Sequence, residues 1–413
     1  MENQEDVLQK ENETFNDSHT DSAEEIINDE NVDATASPAD EEVSAQPEKK
    51  KNKRKTVLII CGAVLGAILL IAAVLFFIMK GYLGRIQRFD GTEQTLSSDE
   101  IASLNNQEAT NPEFSGPVMD GSEIKVPSES AASVMKDEHI VNILLVGQDR
   151  RKGEGRRHSD SMVLVTVNKK TKTITMTSFM RDLWVPIPDH YNERLNVPYM
   201  VGGFDLLNKT LDHNFGIAAD YNVEVDFEGF ESIIDAIGGI DMYLSAAEAS
   251  YLNRRGNWSN GEKYKGDWTL QQGMNHLTGK QALAYSRIRD LDSDFGRTNR
   301  QRKVLKTLLA TAKQMNSVKL MNTVKSLASL VKTDMTDGQI VSLVTELLPI
   351  LPEAEVVSQR IPADGAYSSV RLIDNGYAKD VLIMDDADLQ TNIALLTQAY
   401  KIEKDETADL TGE

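Results

Sequence analysis

The chain has 413 residues, with 64 Asp and Glu against 44 Lys and Arg, a net charge of −20. Its one cysteine, Cys61, excludes a disulfide within the chain and a zinc site built from cysteines. Much of the acidic excess lies in residues 1–48, where sixteen acidic residues accompany a single base, Lys10. The remainder is mildly acidic, so nothing in the composition indicates general nucleic-acid binding.

Residues 1–48 are rich in Glu, Asp, Asn and Ser and almost lack aromatic residues. Such a segment buries too little apolar surface to offset its chain entropy, so we predict a disordered acidic tail. Two interpretations are open: the tail recruits a cytoplasmic partner, or it is simply solvated.

A basic flank and an apolar stretch together occupy residues 49–80. The stretch Val57–Met79 has 23 residues without a charge, and a helix of that length spans roughly 35 Å, enough to cross a bilayer. It is too long for the apolar region of a cleaved signal peptide, which favours an uncleaved anchor. Because six bases precede it, we predict a single-pass protein of the cell membrane with a cytoplasmic N-terminus and an extracellular C-terminal domain.

Beyond the anchor we predict a linker at 81–135, helical near 98–105, an α/β domain at 136–401 and a tail at 402–413. Apolar runs and alternation indicate strands at 141–146, 162–168, 173–179, 221–227, 240–244 and 356–361. Helical patterns cover 202–215, 230–237, 280–286, 297–315, 337–348 and 386–400.

This order of elements predicts a three-layer α-β-α sandwich with a central mixed sheet. The strands at 162–168 and 173–179 are expected to form a hairpin. Thr278 and Gln281 have the spacing of a capping box that opens the helix KQALAYS. The polar, Gly-rich residues 245–275 are expected to form a surface excursion.

Arginine and aspartate recur where the predicted strands and helices end, and ligand sites in open α/β sheets collect at such ends. The planar fork of arginine matches phosphate oxygens, and two carboxylates among arginines suit a hard cation such as Mg²⁺. One such segment would be explained by surface charges that neutralise each other, but four segments favour a site for an anionic ligand. The four segments contain Asp149, Arg150, Arg151, Arg156, Arg157 and Asp160; Arg181 and Asp182; Arg287 and Arg289; and Asp294, Arg297, Arg300 and Gln301.

At these residues the sequence resembles the LytR-CpsA-Psr family. The matching stretches cover roughly residues 140–305: NILLVGQDRR, HSDSMVLVTVN, TSFMRDLWVPIP, RLNVPYMVGG, VEVDFEGFESIIDAIGGIDM, HLTGKQALAYSRIRD and DFGRTNRQRKVL. The resemblance implies an α-β-α sandwich enzyme of mainly Gram-positive bacteria. Such an enzyme moves teichoic acid, capsule or a similar polymer from undecaprenyl pyrophosphate to a muramic acid 6-hydroxyl of peptidoglycan.

The resemblance also implies roles for individual residues. Asp149 and Asp160 are expected to bind Mg²⁺ or Mn²⁺. His158 stands where the family commonly has Arg, so we expect Arg157 to bind the pyrophosphate in its place. Arg151 of the same loop is a further candidate for pyrophosphate binding. The pyrophosphate is expected to bind to Arg181, Arg287 and Arg289. The rest of the polar site is expected to consist of Asp294, Arg297 and Gln301, of which Arg297 and Gln301 also contact the substrate.

The mechanistic hypothesis starts from the predicted location, since an external enzyme has no nucleotide supply and its activated donor must arrive on a lipid. Electrostatic stabilisation by the cation and the arginines is then the main contribution to catalysis. Asp294 is our candidate for accepting the proton of the attacking hydroxyl. The predicted catalytic residues are Asp149, Asp160, Arg181, Arg287 and Asp294.

A polyprenyl tail requires an apolar channel, and candidates to line it are Val163, Val165, Ile174, Met176, Phe227, Ile233 and Ile237. Each of these also suits ordinary core packing. Two other functions remain open: a polyprenyl-pyrophosphate phosphatase that uses water as acceptor, and a non-catalytic protein that binds the glycan or the lipid carrier. The predicted partners are the lipid-linked glycan, peptidoglycan and the membrane, and no nucleic acid.

Overall fold

A mixed seven-stranded sheet organises the C-terminal part of the protein, as seen in a computed structural model. The predicted tails, the stretch Val57–Met79 and the predicted helix at 98–105 lie outside the described residues. Within the described part of the chain, no helix combines the length and the apolar character needed to cross a membrane. The structure describes residues 81, 83–89, 114–127, 137–148, 156–255, 268–289, 291–316, 319–320, 322–323, 328–374 and 377–401, all within the unit Gly66–Glu413.

The described residues contain fourteen strands and seven α-helices. The strands are β1 Gln87–Arg88, β2 Val118–Asp120, β3 Ile140–Gln148, β4 Ser159–Asn168, β5 Thr173–Phe179, β6 Trp184–Val185, β7 Glu193–Arg194, β8 Tyr221–Asp226, β9 Ile240–Leu244, β10 Gly273–Leu277, β11 Val331–Thr333, β12 Glu355–Ile361, β13 Ser368–Asp374 and β14 Tyr377–Ile383. The α-helices are α1 Val197–Phe215, α2 Phe227–Ile237, α3 Ala246–Arg255, α4 Gly279–Ser286, α5 Asp294–Lys313, α6 Asp337–Leu347 and α7 Asp386–Gln398.

The central sheet has the strand order β1-β11-β8-β3-β4-β5-β12. Strand β4 is antiparallel to both of its neighbours, β3 and β5, whereas β8 is parallel to β3, and β12 is parallel to β5. The register from Met162 opposite Phe179 to Asn168 opposite Thr173 confirms the predicted hairpin. With these directions, β3, β5, β8 and β12 all finish at one end of the sheet, where β4 begins.

Helices cover both faces of the sheet, because successive side chains of a strand point to opposite sides. On one face Leu144 and Leu164 belong to a buried cluster with residues of α1 and α7. On the other face Val167 and Ile174 pack in a cluster with Leu309 of α5 and residues of α6. The three layers and the central mixed sheet agree with the predicted sandwich.

A further buried cluster joins α2, α4 and α5 to the two-stranded ribbon of β9 and β10. The predicted capping box opens α4, with Thr278 N–H donating to Gln281 Oε1 at 2.9 Å and Gln281 N–H donating to Thr278 Oγ1 at 3.4 Å. The next N–H, that of Gly279, donates to Asp235 Oδ1 at 2.7 Å. These contacts fix the start of α4, whose other end leads to Arg287.

Three regions differ from the predictions. Segments of the predicted linker 81–135 join the fold, since β1 pairs with β11 and β2 pairs with β13. The predicted excursion 245–275 contains α3 and most of β10. The β13–β14 hairpin was not predicted. Strands of two or three residues are too short to show a period, and polar positions such as Arg371 and Asp380 interrupt the apolar pattern of the hairpin.

Replacing Thr278 by Ala should lower the melting temperature of the full chain by about 2–4 °C. The expected loss is about 1 kcal/mol, because the Gln281 N–H loses its acceptor at the start of α4. Thermal unfolding followed by circular dichroism measures the change. The matched control, Thr278→Ser, keeps the hydroxyl and should melt close to the unmodified protein; equal losses in both variants would show that the cap contributes little.

Candidate active site

Residues from all four predicted Arg/Asp segments meet at the end of the sheet where β5 finishes and β4 begins. The antiparallel register places Met162 opposite Phe179, so continuing it by two residues brings Asp160 beside Arg181. The Arg181 Nη1–H donates to Asp160 Oδ1 at 3.1 Å. The hairpin register alone therefore creates the first ion pair of the site.

Arg181 also connects this hairpin to a helix. Its Nε lies 3.4 Å from Asp182 Oδ2 and 3.6 Å from Asp294 Oδ2, at the start of α5. The side chain is 14% exposed, so these charges interact in a partly dehydrated environment where they are screened less than at a surface. One guanidinium thus holds carboxylates from three chain segments.

The first turn of α5 supplies the second arginine. Asp294, Arg297 and Gln301 are spaced at i, i+3 and i+7 and lie on one side of the helix. Arg297 Nη2–H donates to Asp294 Oδ2 at 2.8 Å, and its Nη1 lies 3.9 Å from Asp160 Oδ1. The Arg297 side chain is only 3% exposed, which makes it a buried cation that depends on those carboxylates.

The chain leaving α4 supplies two further arginines. The guanidinium carbon of Arg287 lies 4.3 Å from the centre of the Phe227 ring, at the start of α2. This distance is typical of a cation–π contact, which orients the guanidinium without consuming its hydrogen-bond donors. Arg289 Nη2 lies 3.6 Å from Asp160 Oδ1, with half of its side chain exposed. The two arginines therefore line the more open side of the site.

The charged groups in the site shift one another's pKa values. Burial raises the pKa of the Asp160 carboxyl, but Arg181, Arg297 and Arg289 together outweigh burial and bring that pKa below its ordinary value of 3.8. Burial, assisted by the charge of Arg181, lowers the pKa of the Arg297 guanidinium to about 10. At neutral pH Asp160 is therefore ionised and Arg297 is protonated.

One donor in the site is left for a ligand. Arg297 Nε is buried and has no hydrogen-bond acceptor among the residues that the structure describes. A buried donor without a partner costs roughly 1–3 kcal/mol, which an oxygen of a bound anion would recover. Four guanidinium groups also outnumber the three carboxylates of the described site, so the arrangement suits a ligand with several anionic oxygens.

The other polar residues predicted to bind the metal or the pyrophosphate follow β3 in the chain or lie on α5. Asp149 and Arg151 lie outside the described residues. Arg157 is partly buried, and its backbone N–H donates to Gln148 Oε1 at 2.9 Å. Gln301 is partly buried on the same side of α5 as Asp294 and Arg297.

Asp182 belongs to the site, although the sequence analysis gave it no role. It is the immediate neighbour of Arg181, with its Oδ2 near the Arg181 Nε. Its place directly after a strand that ends in this region was the available signal.

The predicted channel residues divide into two groups. Val163, Val165, Ile174 and Met176 share one face of the sheet, as the pairings Val165–Met176 and Val167–Ile174 require. Val165 and Ile174 contribute to the core beneath α5 and α6, and Ile237 packs in the cluster of α2 and α4. Phe227 contacts Arg287, and Ile233 is partly buried. Contact of any of these residues with lipid stays a prediction.

Asp160 has properties that suit a Mg²⁺ ligand. It is ionised, and each of its three arginines approaches it most closely at Oδ1. No hydrogen bond from the described residues reaches Oδ2. Mg²⁺ typically takes one or two carboxylates and completes its shell with water and substrate phosphate. No group of three or more His, Cys, Asp or Glu side chains placed to hold a metal occurs within the described ranges.

Comparison with known proteins identifies the class to which this fold and site belong. The model of the LytR_cpsA_psr family matches residues 99–392. A match over this much of the chain shows that the protein belongs to the LytR-CpsA-Psr family. The site residues Asp160, Arg181, Arg287 and Arg297 all lie within the matched range.

Individual members of the family are also similar. Regulatory protein MsrR of Staphylococcus aureus (strain COL) is 31% identical over 251 residues, which are 60% of this chain and 72% of MsrR. The polyisoprenyl-teichoic acid–peptidoglycan teichoic acid transferase TagU of Bacillus mycoides is 32% identical over 238 residues, 57% of this chain and 72% of TagU. A solved structure of TagT bound to LIIa-WTA has a TM-score of 0.52 and 25% identity, and the match covers 67% of this chain and 99% of that one.

Replacing Asp160 by Asn should lower the stability of the full chain by about 2 kcal/mol at pH 7, because three arginines lose their shared anion. The folded-state pKa of Asp160 lies below 3.8, so its stabilisation is complete above the unfolded-state pKa and is lost as the pH falls through the folded one. Melting temperatures from pH 7 to pH 3 should therefore converge for the two proteins only below about pH 4.

Asp205→Asn, at an exposed position of α1, is the matched control and should change the melting temperature little at any of these pH values. A constant difference between Asp160→Asn and the unmodified protein down to pH 3 would contradict the stated protonation of Asp160.

Proposed function

We propose that this protein transfers an anionic glycopolymer from a polyprenyl pyrophosphate to peptidoglycan, forming a phosphodiester at a muramic acid 6-hydroxyl. The observation that carries the proposal is the convergence of Arg181, Arg287, Arg289 and Arg297 at one end of the sheet, around carboxylates too few to neutralise them. The name of TagU describes the transfer of a teichoic acid to peptidoglycan. Teichoic acid and capsule are the polymer classes that we expect.

In the proposed reaction the hydroxyl oxygen attacks the phosphorus that is bonded to the glycan. The bond between that phosphorus and the bridging oxygen breaks, and polyprenyl phosphate leaves with the electron pair. Arg181 and Arg297 lie where they can hold the oxygens of the attacked phosphoryl group, and Arg287 and Arg289 those of the leaving phosphate. Each charge-assisted hydrogen bond contributes about 1.5–3 kcal/mol, so the site acts by positioning and electrostatic stabilisation.

Two carboxylates have further proposed roles. Asp294 accepts the proton of the attacking hydroxyl once Arg297 turns from it to the phosphoryl oxygens. Asp160, with Asp149, would hold Mg²⁺ or Mn²⁺, which when bound neutralises charge on the phosphoryl oxygens. Within the described residues Asp160 already has the ionised state that metal binding requires.

The substrates and the predicted membrane location are compatible. A polyprenyl tail would enter from the bilayer, to which Val57–Met79 anchors the chain in our proposal, with the active site outside the cell. Val163 and Met176, which are 1% and 3% exposed, are buried on the face of the sheet covered by α5. Of the channel candidates on the sheet, Val163 is the nearest in sequence to Asp160, and Met176 is the nearest in sequence to Arg181.

The decisive assay combines the full chain in detergent micelles with a lipid-pyrophosphate-linked glycan and peptidoglycan oligomers, with Mg²⁺ or with EDTA. We expect mass spectrometry to detect a glycan-phosphate-peptidoglycan product that disappears with EDTA. Phosphorylated glycan without that product would replace the proposal by a phosphatase that uses water. Intact donor under both conditions, with bound donor detected, would indicate a non-catalytic binding protein.

Replacing Arg287 by Ala should reduce the rate of transfer by about 10²–10³-fold, the usual cost of losing one positioned stabilising group. The matched control is Arg254→Ala on α3, where the side chain is exposed and, among the described residues, donates only to its own helix, at Ser250 O. The control should keep full activity, and both variants should melt like the unmodified protein. Near-normal transfer by Arg287→Ala would remove this residue from the proposed mechanism.

A further inference from the structure

Two further arginines, Arg302 of α5 and Arg360 of β12, lie near another side of α5, away from Asp294 and Arg297. Phe295 and Arg302 are seven residues apart, so they lie about two turns apart on one side of the helix. Arg360 lies at the end of β12, paired in register with Ser178 of the neighbouring β5. Because β5 and β12 are parallel, this pair is at the same end of the sheet as the site around Arg181.

Aromatic side chains fix Arg360 in place. Its guanidinium carbon lies 4.4 Å from the centre of the Phe295 ring, and Phe295 in turn lies 5.2 Å from the Tyr367 ring. The Arg360 Nε–H donates to the carbonyl oxygen of Pro362 at 3.0 Å. Its one ion pair within the described residues is with Asp364, whose side chain is 94% exposed. An exposed carboxylate of this kind is easily exchanged for another anion.

Arg302 has donors that the described residues do not use. Its Nη2–H donates to Asn299 Oδ1 at 3.3 Å, whereas its buried Nη1 has no acceptor in the described part of the chain. Ser178, which is 1% exposed, likewise has an Oγ without a described hydrogen-bond partner. Since residues paired in register point to the same face of a sheet, Ser178 and Arg360 present their side chains together.

The charges of this cluster do not balance. Burial lowers the pKa of Arg302, the positive charge of Arg360 lowers it further, and Asp364 offsets this only in part. Two cations that repel each other and buried donors without acceptors are costly for folding alone. A multivalent oxyanion bound between them would relieve both costs.

We propose that Arg302, Arg360 and Ser178 form a second oxyanion-binding subsite, which holds a phosphate of the glycopolymer chain at a distance from the reacting pyrophosphate. This inference rests on the proposed function, which supplies a donor with phosphates along its length. Ser178 precedes Arg181 by three residues, or roughly 10 Å of strand, so a polymer bound at the first site can reach the second. The subsite therefore selects long anionic donors.

The test measures donor binding to the full chain in detergent micelles without peptidoglycan, so that no transfer takes place. The probes are a lipid-pyrophosphate donor with a single uncharged sugar unit and one that carries several phosphate-bearing repeats. Arg302→Gln and Arg360→Gln should each weaken binding of the long donor about tenfold and leave the short donor unchanged. The matched control, Arg254→Gln, should change neither.

Several results would overturn the subsite. They are an equal loss for both donors, no loss for either, or an unchanged donor affinity combined, in the transfer assay with peptidoglycan, with a raised KM for peptidoglycan, which would assign the cluster to the acceptor. Should Arg360→Gln unfold, Arg302→Gln alone decides, because Arg302 has fewer contacts within the described residues. A selective loss of long-donor binding in a protein that shows no transfer would uphold the subsite and reject the proposed function.

Discussion

The ionised carboxylate of Asp160 is the feature on which the rest of the site depends. Three arginines from three different elements approach its Oδ1, at 3.1, 3.6 and 3.9 Å. Without that anion the same guanidinium groups would repel one another in a poorly hydrated space, and the ends of β5, α4 and α5 would lose their common attachment. Folding and ligand recognition therefore use the same charge.

The site is built to be incompletely neutralised. Carboxylates hold Arg181 and Arg297 in place, an aromatic ring holds Arg287, and yet a buried donor of Arg297 remains without an acceptor in the described structure. Such preorganised donors cost little reorganisation when an anion arrives, which is the basis of electrostatic catalysis. The pair formed by Arg302 and Arg360 repeats this design on another side of α5, with an aromatic ring as support and one exposed carboxylate as counter-charge.

Relatives within the family carry different names, since MsrR is described as a regulatory protein and TagU as a transferase. The cluster of arginines around Asp160 in this chain suits the binding of a phosphorylated ligand. Phosphoryl transfer needs positioned cations more than a reactive side chain, and the described site consists almost entirely of such cations and the carboxylates that orient them.

Much of the architecture followed from local patterns. The hairpin of β4 and β5, the capping box at Thr278 and the helix stop after Ile237 each depend on residues close together in sequence, so periodicity and turn chemistry were sufficient to predict them. The short strands β1, β2 and β11 were missed because two or three residues carry no period, and only a partner strand far along the chain makes them strands.

The sequence by itself determined which residues are charged and that they fall at the ends of elements, because those properties are local. It also determined the family, through motifs that occur in order. Only the tertiary structure decided that Phe227 supports Arg287, that Arg360 lies beside Ser178, and that Arg360 is close enough to Arg302 for their charges to interact. The physical reason is that charge interactions and stacking act over a few ångströms, whereas these partners lie more than fifty residues apart in the chain.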